Sequence, residues 1–173
     1  MHVLIPGSFN PFHAGHAAIG LYCKSKDLIP VYEVSTINCD VNKPPISYLE
    51  VERRIGEIEK YGFLAVPSDK PYFTQKVRKE YYINGELLDI STICIGADTW
   101  NRFVDPSKYF GNVALRNFAL VQTMKQVDFL IMPRPNYKIV EVPDVQAFYT
   151  VATDFTEINV SSTEIRRAFN GES

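Results

Sequence analysis

The chain is poor in the residues that build disulfides and metal centres. Its three cysteines, Cys23, Cys39 and Cys94, stand far apart and form no CxxC pair, so no four-ligand zinc pattern exists. They read as thiols of a reducing compartment, and Cys94, between Ile93 and Ile95, reads as a small core residue. An excess of positive charge is also missing. Eighteen Lys and Arg oppose twenty Asp and Glu for a formal net charge of -2, which argues against broad electrostatic binding of DNA or RNA. No run approaches the roughly 18 consecutive apolar residues of a membrane span, so no membrane partner is expected. The opening MHVLIPG turns polar at once, with neither a basic leader nor a long apolar segment. The expected address is the cytoplasm.

What is present is a core-forming composition. Of 173 residues 46% are hydrophobic and 22% charged. A chain of this length is about one domain, here residues 1–173, and buries roughly two-thirds of its extended surface without cross-links. Residues 2–5 are short, apolar and β-branched, and Pro6, Gly7, Ser8 and Asn10-Pro11 follow with turn chemistry. Ala14, Ala17, Ala18, Leu21 and Tyr22 then recur at helical spacing, which predicts a helix over 14–25. A strand over 31–37 closes a βαβ unit.

Ser47 and Glu50 form a capping box for a helix over 48–60. Further strands are predicted over 64–66, 92–95 and 127–132, with an edge strand over 138–142. Helices are predicted over 74–82 and 113–125, and a terminal helix runs from 161 to about 169. Strands that alternate with helices predict an open parallel α/β sheet, Rossmann-like, with helices on both faces. Ligands of such folds sit beyond the C-terminal ends of the strands, at a switch in strand order. The turns after Ile5, Ile37 and Ile95 would share that edge.

Four constellations carry polar chemistry there. In Gly7-Ser8-Phe9-Asn10-Pro11-Phe12-His13-Ala14-Gly15-His16, two histidines three apart straddle a helix start and face one side. Gly7 and Gly15 allow close backbone approach, and the helix N-terminus offers N–H groups to phosphate. The competing readings are a surface turn and a two-histidine zinc site, which lacks a third ligand. Gly96-Ala97-Asp98-Thr99-Trp100 follows a buried strand; Asp98 suits a ribose or amide, and Trp100 either stacks on a ring or fills the core. Ser161-Ser162-Thr163-Glu164-Ile165-Arg166 opens a helix with three hydroxyls and a rigid guanidinium one turn in, an anion site or an ordinary cap. Lys43 lies on a proline-stiffened loop where it meets a triphosphate or only water. Arg53 or Arg54 on the following helix lines the same mouth or a solvated face.

Together these segments resemble the nucleotidyltransferase superfamily with the HxGH signature. GSFNPFHAGH is similar to its GxFxPxHxGH entry motif, SSTEIR to its ISSTxIR motif, and GADTW to the GxD turn of nicotinamide and nicotinate mononucleotide adenylyltransferases. The lysine loop and GAD turn also resemble a cytidylyltransferase-like branch. The resemblance implies a nucleotidyltransferase-type Rossmann-like fold and transfer of AMP from ATP, with Mg²⁺, to a pyridine mononucleotide, releasing pyrophosphate. It implies catalytic roles for His13, His16, Lys43 and Arg166. It implies nucleotide or acceptor contacts for Gly7, Ser8, Phe9, Gly15, Gly96, Asp98, Trp100, Ser161, Ser162 and Thr163. No protein-bound metal site is implied, and a homo-oligomer is admitted. The alternatives are a CTP- or ATP-dependent transferase acting on another phosphorylated metabolite, and a nucleotide-binding protein with little turnover.

Overall fold

The computed structural model describes residues 1–38 and 42–156. The first strand, β1 (His2–Gly7), is followed by α1 (Ala14–Ser25), β2 (Ile29–Ser35), α2 (Tyr48–Lys60) and β3 (Leu64–Ser68). A short helix α3 (Phe73–Lys76) and a hairpin of β4 (Tyr82–Ile83) and β5 (Glu86–Leu87) lead to β6 (Ile90–Gly96). Then come α4 (Ala97–Phe103), α5 (Val113–Met124), β7 (Asp128–Met132) and β8 (Tyr149–Val151).

Six strands form one sheet in the order β3-β2-β1-β6-β7-β8, and every pairing in it is parallel. The order reverses between β1 and β6, which is the switch point predicted for ligand binding. The alternating faces of the strands feed two cores. Ile5, Tyr32, Val34 and Cys94 join Cys23 of α1 and Val51 and Ile58 of α2 on one side. Leu4, Val31, Ile93 and Ile131 join Trp100 of α4 and Leu120 and Met124 of α5 on the other. The sheet is thus covered on both faces, as its nearly continuous apolar strands require.

Several expected elements are corrected. The helix expected over 74–82 stops after one turn at Lys76, and Tyr82 instead opens a hairpin whose Asn84-Gly85 turn has positive φ at both residues, 51° and 79°. The edge strand expected over 138–142 is irregular chain, and the edge is taken by β8. Val140 there gives its carbonyl to a tryptophan rather than to a neighbouring strand. The terminal helix expected over 161–169 lies outside the described residues.

A charged pair lies deep against the sheet. Glu33 of β2 is fully buried and accepts hydrogen bonds from the Lys76 ammonium and the Tyr81 hydroxyl. Burial, with the Glu33 charge, pushes the Tyr81 hydroxyl pKa well up. A buried carboxylate needs such partners, and here they tie α3 and the hairpin to the sheet. Among the described residues no helix is long and apolar enough to cross a membrane.

Candidate functional site

The turn from β1 into α1 folds around two aromatic rings. Phe9 adopts a left-handed backbone (φ 50°) and turns its ring back under the turn. A Cβ on Gly7 would stand 2.7 Å from that ring, so glycine is required at position 7 by the chain's own packing. Phe9 and Phe12 are both buried, and their rings meet the His16 ring at 5.0 and 5.4 Å. The Phe9 ring belongs to the core, beside Tyr32, which leaves the backbone of Phe9 as the part of this residue on the motif turn. The Tyr32 hydroxyl donates to the His16 carbonyl at 2.5 Å and fixes the first turn of α1.

His13 is the N-cap of α1. Its Nδ1 accepts hydrogen bonds from the amides of Gly15 at 3.1 Å and His16 at 3.4 Å. Nδ1 of His16 in turn accepts from the His13 amide at 3.3 Å. This is a capping box made by two imidazoles. A nitrogen that accepts from an amide carries no proton, so each neutral ring keeps its proton on Nε2. The two rings stack at 3.7 Å between centroids with 18° between planes. Burial lowers the His13 pKa. Burial first, then the charges of His13 and Arg134, lower that of His16 to about 3. Both rings are therefore neutral donors near neutral pH. Each presents Nε2–H rather than a formal charge.

α2 braces this turn. The buried Arg54 guanidinium donates to the Ser8 carbonyl at 3.2 Å and to Glu50 at 2.8 Å. Arg53 donates to Glu50, Glu57 and, at 3.4 Å, the Asn10 side chain. The two arginines hold the Glu50 carboxyl down to about 2. Arg54 is thus a structural brace, and Arg53 is the member of the pair that reaches the motif turn. Ser8 itself is exposed on that turn.

Across the switch point, Gly96 ends β6 as the N-cap of α4. A Cβ on Gly96 would stand 2.8 Å from Oδ1 of Asp98. Asp98 pairs with Arg134 at 3.2 Å. Arg134 follows β7 in Pro133-Arg134-Pro135 and lies over the Tyr137 ring at 5.6 Å. It is close enough to disfavour protonation of His16. Sequence reasoning passed over Arg134. The available signal was a lone arginine, stiffened by two prolines, just beyond a buried strand at the ligand edge.

For Trp100 the sequence left a ligand platform and a core residue both open, and the structure places the ring in the core. It is fully buried, packs on Phe103 and Tyr149, and donates its indole N–H to the Val140 carbonyl at 2.8 Å. Gly15 is buried in the first turn of α1 and donates to His13. Lys43 is exposed on the loop between β2 and α2. Ser161, Ser162, Thr163 and Arg166 lie outside the described residues. The structure therefore brings Gly7, Ser8, His13, Gly15, His16, Gly96 and Asp98 to one sheet edge and adds Arg134. Among the described residues no three His, Cys, Asp or Glu side chains group as a metal site.

A cavity of about 640 Å³ opens further along the same edge. Thr36, Ile46, Val51, Ile55 and Pro67 line it, with Tyr48, Glu52 and Glu59 of α2. Thr36 stands two residues beyond Val34, the register partner of Gly7. Strand spacing and rise put it about 8 Å from the Gly7 turn.

No curated protein matches the chain. A family model described as cytidylyltransferase-like matches residues 4–168. Among solved structures, the chain is similar to Plasmodium falciparum nicotinic acid mononucleotide adenylyltransferase complexed with NaAD. The two share 12% identity with a TM-score of 0.58, over 95% of this chain and 82% of that one. At that identity the likeness is one of fold.

Proposed function

The chain belongs to the cytidylyltransferase-like family of nucleotidyltransferases, and from that premise we propose that it transfers AMP from ATP to a pyridine mononucleotide. An oxygen of the acceptor phosphate attacks the α-phosphorus in line. The new O–P bond forms as the bond to the β-phosphate oxygen breaks, and pyrophosphate leaves with that electron pair. The attacking oxygen is already anionic, so the step calls for alignment and charge stabilisation rather than a strong base.

The observation that carries this reading is the reciprocal cap of His13 and His16. It leaves two Nε2–H donors at the start of a helix that itself favours anions. Neutral donors fixed in place stabilise developing phosphate charge without proton transfer. Arg134 adds a permanent charge on the far side of the switch point. Gly7, Ser8 and Gly15 supply close backbone around the phosphates, and Lys43 reaches in from its loop. Ser161, Ser162, Thr163 and Arg166 complete the reading as the grip on the β- and γ-phosphates.

The triphosphate would be used as its Mg²⁺ complex. Asp98 is engaged by Arg134, so the chain's donor set would suit an ion held mainly by phosphate oxygens and water. Bound that way it neutralises triphosphate charge. The cavity beside Thr36 has room for the pyridine end of the acceptor and more, and its Glu52 and Glu59 favour a cationic pyridinium carrying an amide over one carrying a carboxylate.

The test is pyrophosphate release with ATP and CTP, each crossed with nicotinamide mononucleotide, its acid form, phosphopantetheine and small alcohol phosphates. The reading predicts release with ATP and the pyridine mononucleotides, with kcat/KM at least about tenfold higher for the amide, the effect of one unfavourable charge contact. Release with CTP, or only with a non-pyridine acceptor, gives the chain a different substrate pair. No release with any pair leaves it a nucleotide-binding protein.

A further inference from the structure

The buried stripe of α2 carries a charge where its spacing calls for a hydrocarbon. Val51, Arg54 and Ile58 are the buried residues of this helix, and Val51 and Ile58 join the core. Arg54 between them is 6% exposed. Taking a guanidinium out of water is costly, and an apolar side chain of similar volume often packs as well or better. Packing alone therefore does not account for arginine at this position.

Its hydrogen bonds are directed at one peptide. The Nε group donates to Glu50 at 2.8 Å on the same helix, and Nη1 crosses to the Ser8 carbonyl at 3.2 Å. Neither acceptor depends on Arg54 to stay satisfied. Glu50 also receives two hydrogen bonds from Arg53, and Ser8 is exposed to water. The effect of the contact falls on the orientation of the turn.

Ser8 and Phe9 share a trans peptide, in which the C=O and the following N–H point to opposite sides. α2 packs on β2 and β3, to one side of β1. A Ser8 carbonyl held toward α2 turns the Phe9 N–H the other way, to the β6 side of β1, where the strand order reverses. Among the described residues that N–H donates to no acceptor. The Gly15 and His16 amides are already taken by Nδ1 of His13. Phe9 also has φ 50°, a backbone that a bulky residue keeps only where its surroundings hold it. Its ring under Gly7 holds one side of it, and the Arg54 bond holds the peptide before it.

We propose that Arg54 is a positioning residue of the nucleotide site: through the Ser8 carbonyl it aims the Phe9 amide at a nucleotide phosphate. The inference rests on the nucleotide site proposed above and is independent of the acceptor.

Amide NMR of the full chain, titrated with inorganic pyrophosphate and with ATP, tests it beside a urea melt. The wild-type Phe9 N–H should shift downfield with either probe. Arg54→Met keeps the hydrocarbon stem and removes the donors. It should keep a urea midpoint near that of wild type, bind both probes about tenfold more weakly, as for one lost donor to a charged group, and lose the Phe9 shift. If Arg54→Met does not fold, Arg54→Gln, too short to cross to Ser8, takes its place with the same expectations. A folded variant that binds with wild-type affinity and keeps the Phe9 shift overturns the proposal. So does a wild-type Phe9 amide that ignores both probes, whatever the variants do. A Phe9 amide that responds in an Arg54-dependent way, in a protein that releases no pyrophosphate with any substrate pair, defeats the transfer reading and upholds the positioning role.

Discussion

His13 and His16 each cap the other's amide through Nδ1, at 3.4 and 3.3 Å, with their rings stacked at 3.7 Å. One pair of side chains thus does two things. It closes the N-terminus of α1, and it orients two Nε2–H groups. Neither ring can take a proton on Nδ1 without giving up its cap.

This links acid to folding. The folded-state pKa of both histidines lies below the ordinary value of 6.5, mainly through burial, and for His16 falls to about 3. The unfolded chain therefore binds more protons than the folded one once the pH drops below about 6.5. Stability from this source is fully present above that pH and is lost progressively as pH falls toward 3. Urea midpoints measured from pH 7 to 4 should decline, and His16→Gln should decline less between pH 6.5 and 5. Parallel profiles would contradict the assignment.

Arg134→Ala should act on the phosphate end of the site. Loss of a charged hydrogen bond of about 1.5–3 kcal/mol corresponds to a rise in nucleotide KM of roughly 10- to 100-fold. The same variant removes one of the charges that oppose protonation of His16, after burial and His13. The His16 ring, followed by NMR, should titrate at higher pH. Unchanged nucleotide saturation together with an unchanged titration would remove Arg134 from the site.

The buried Glu33–Lys76 pair predicts an asymmetry. Glu33→Gln leaves the Lys76 ammonium without its carboxylate in the core and should destabilise by about 3–5 kcal/mol. Replacing both partners, Glu33→Leu with Lys76→Met, should recover most of that loss. Denaturant unfolding of the three proteins checks it. A double variant less stable than the single would show that the Tyr81 hydroxyl depends on the charge itself.

The parallel sheet and its switch point were legible because buried strands such as residues 92–95 and 127–132 read as continuous apolar runs between helical patterns. Turns were harder. The hairpin at Asn84-Gly85 was passed over, because its two-residue strands are too short to show alternation. The motif glycines and histidines were legible as a group, but what each does was not. Gly7 is demanded by the Phe9 ring, and the histidines cap each other. Trp100 next to Asp98 read equally well as a ligand platform or as core, and only burial separates the two. Cys23 and Cys94, far apart in sequence, meet in one core; the Cys23 hydrogen bond and then burial push the Cys94 thiol pKa well up. Contacts of that kind depend on three-dimensional proximity, which a single sequence does not display.

In the proposed reaction the histidine pair serves catalysis beyond its service to the helix. His13→Asn separates the two, because asparagine is itself a favoured N-cap but lacks the Nε2–H donor. Pyrophosphate release with ATP and nicotinamide mononucleotide, measured beside a urea melt, is the direct test. The account predicts stability within about 1 kcal/mol of wild type and a fall in kcat of about 10²–10³-fold, the cost of one preorganised donor. Wild-type turnover in a fully folded His13→Asn protein would contradict it.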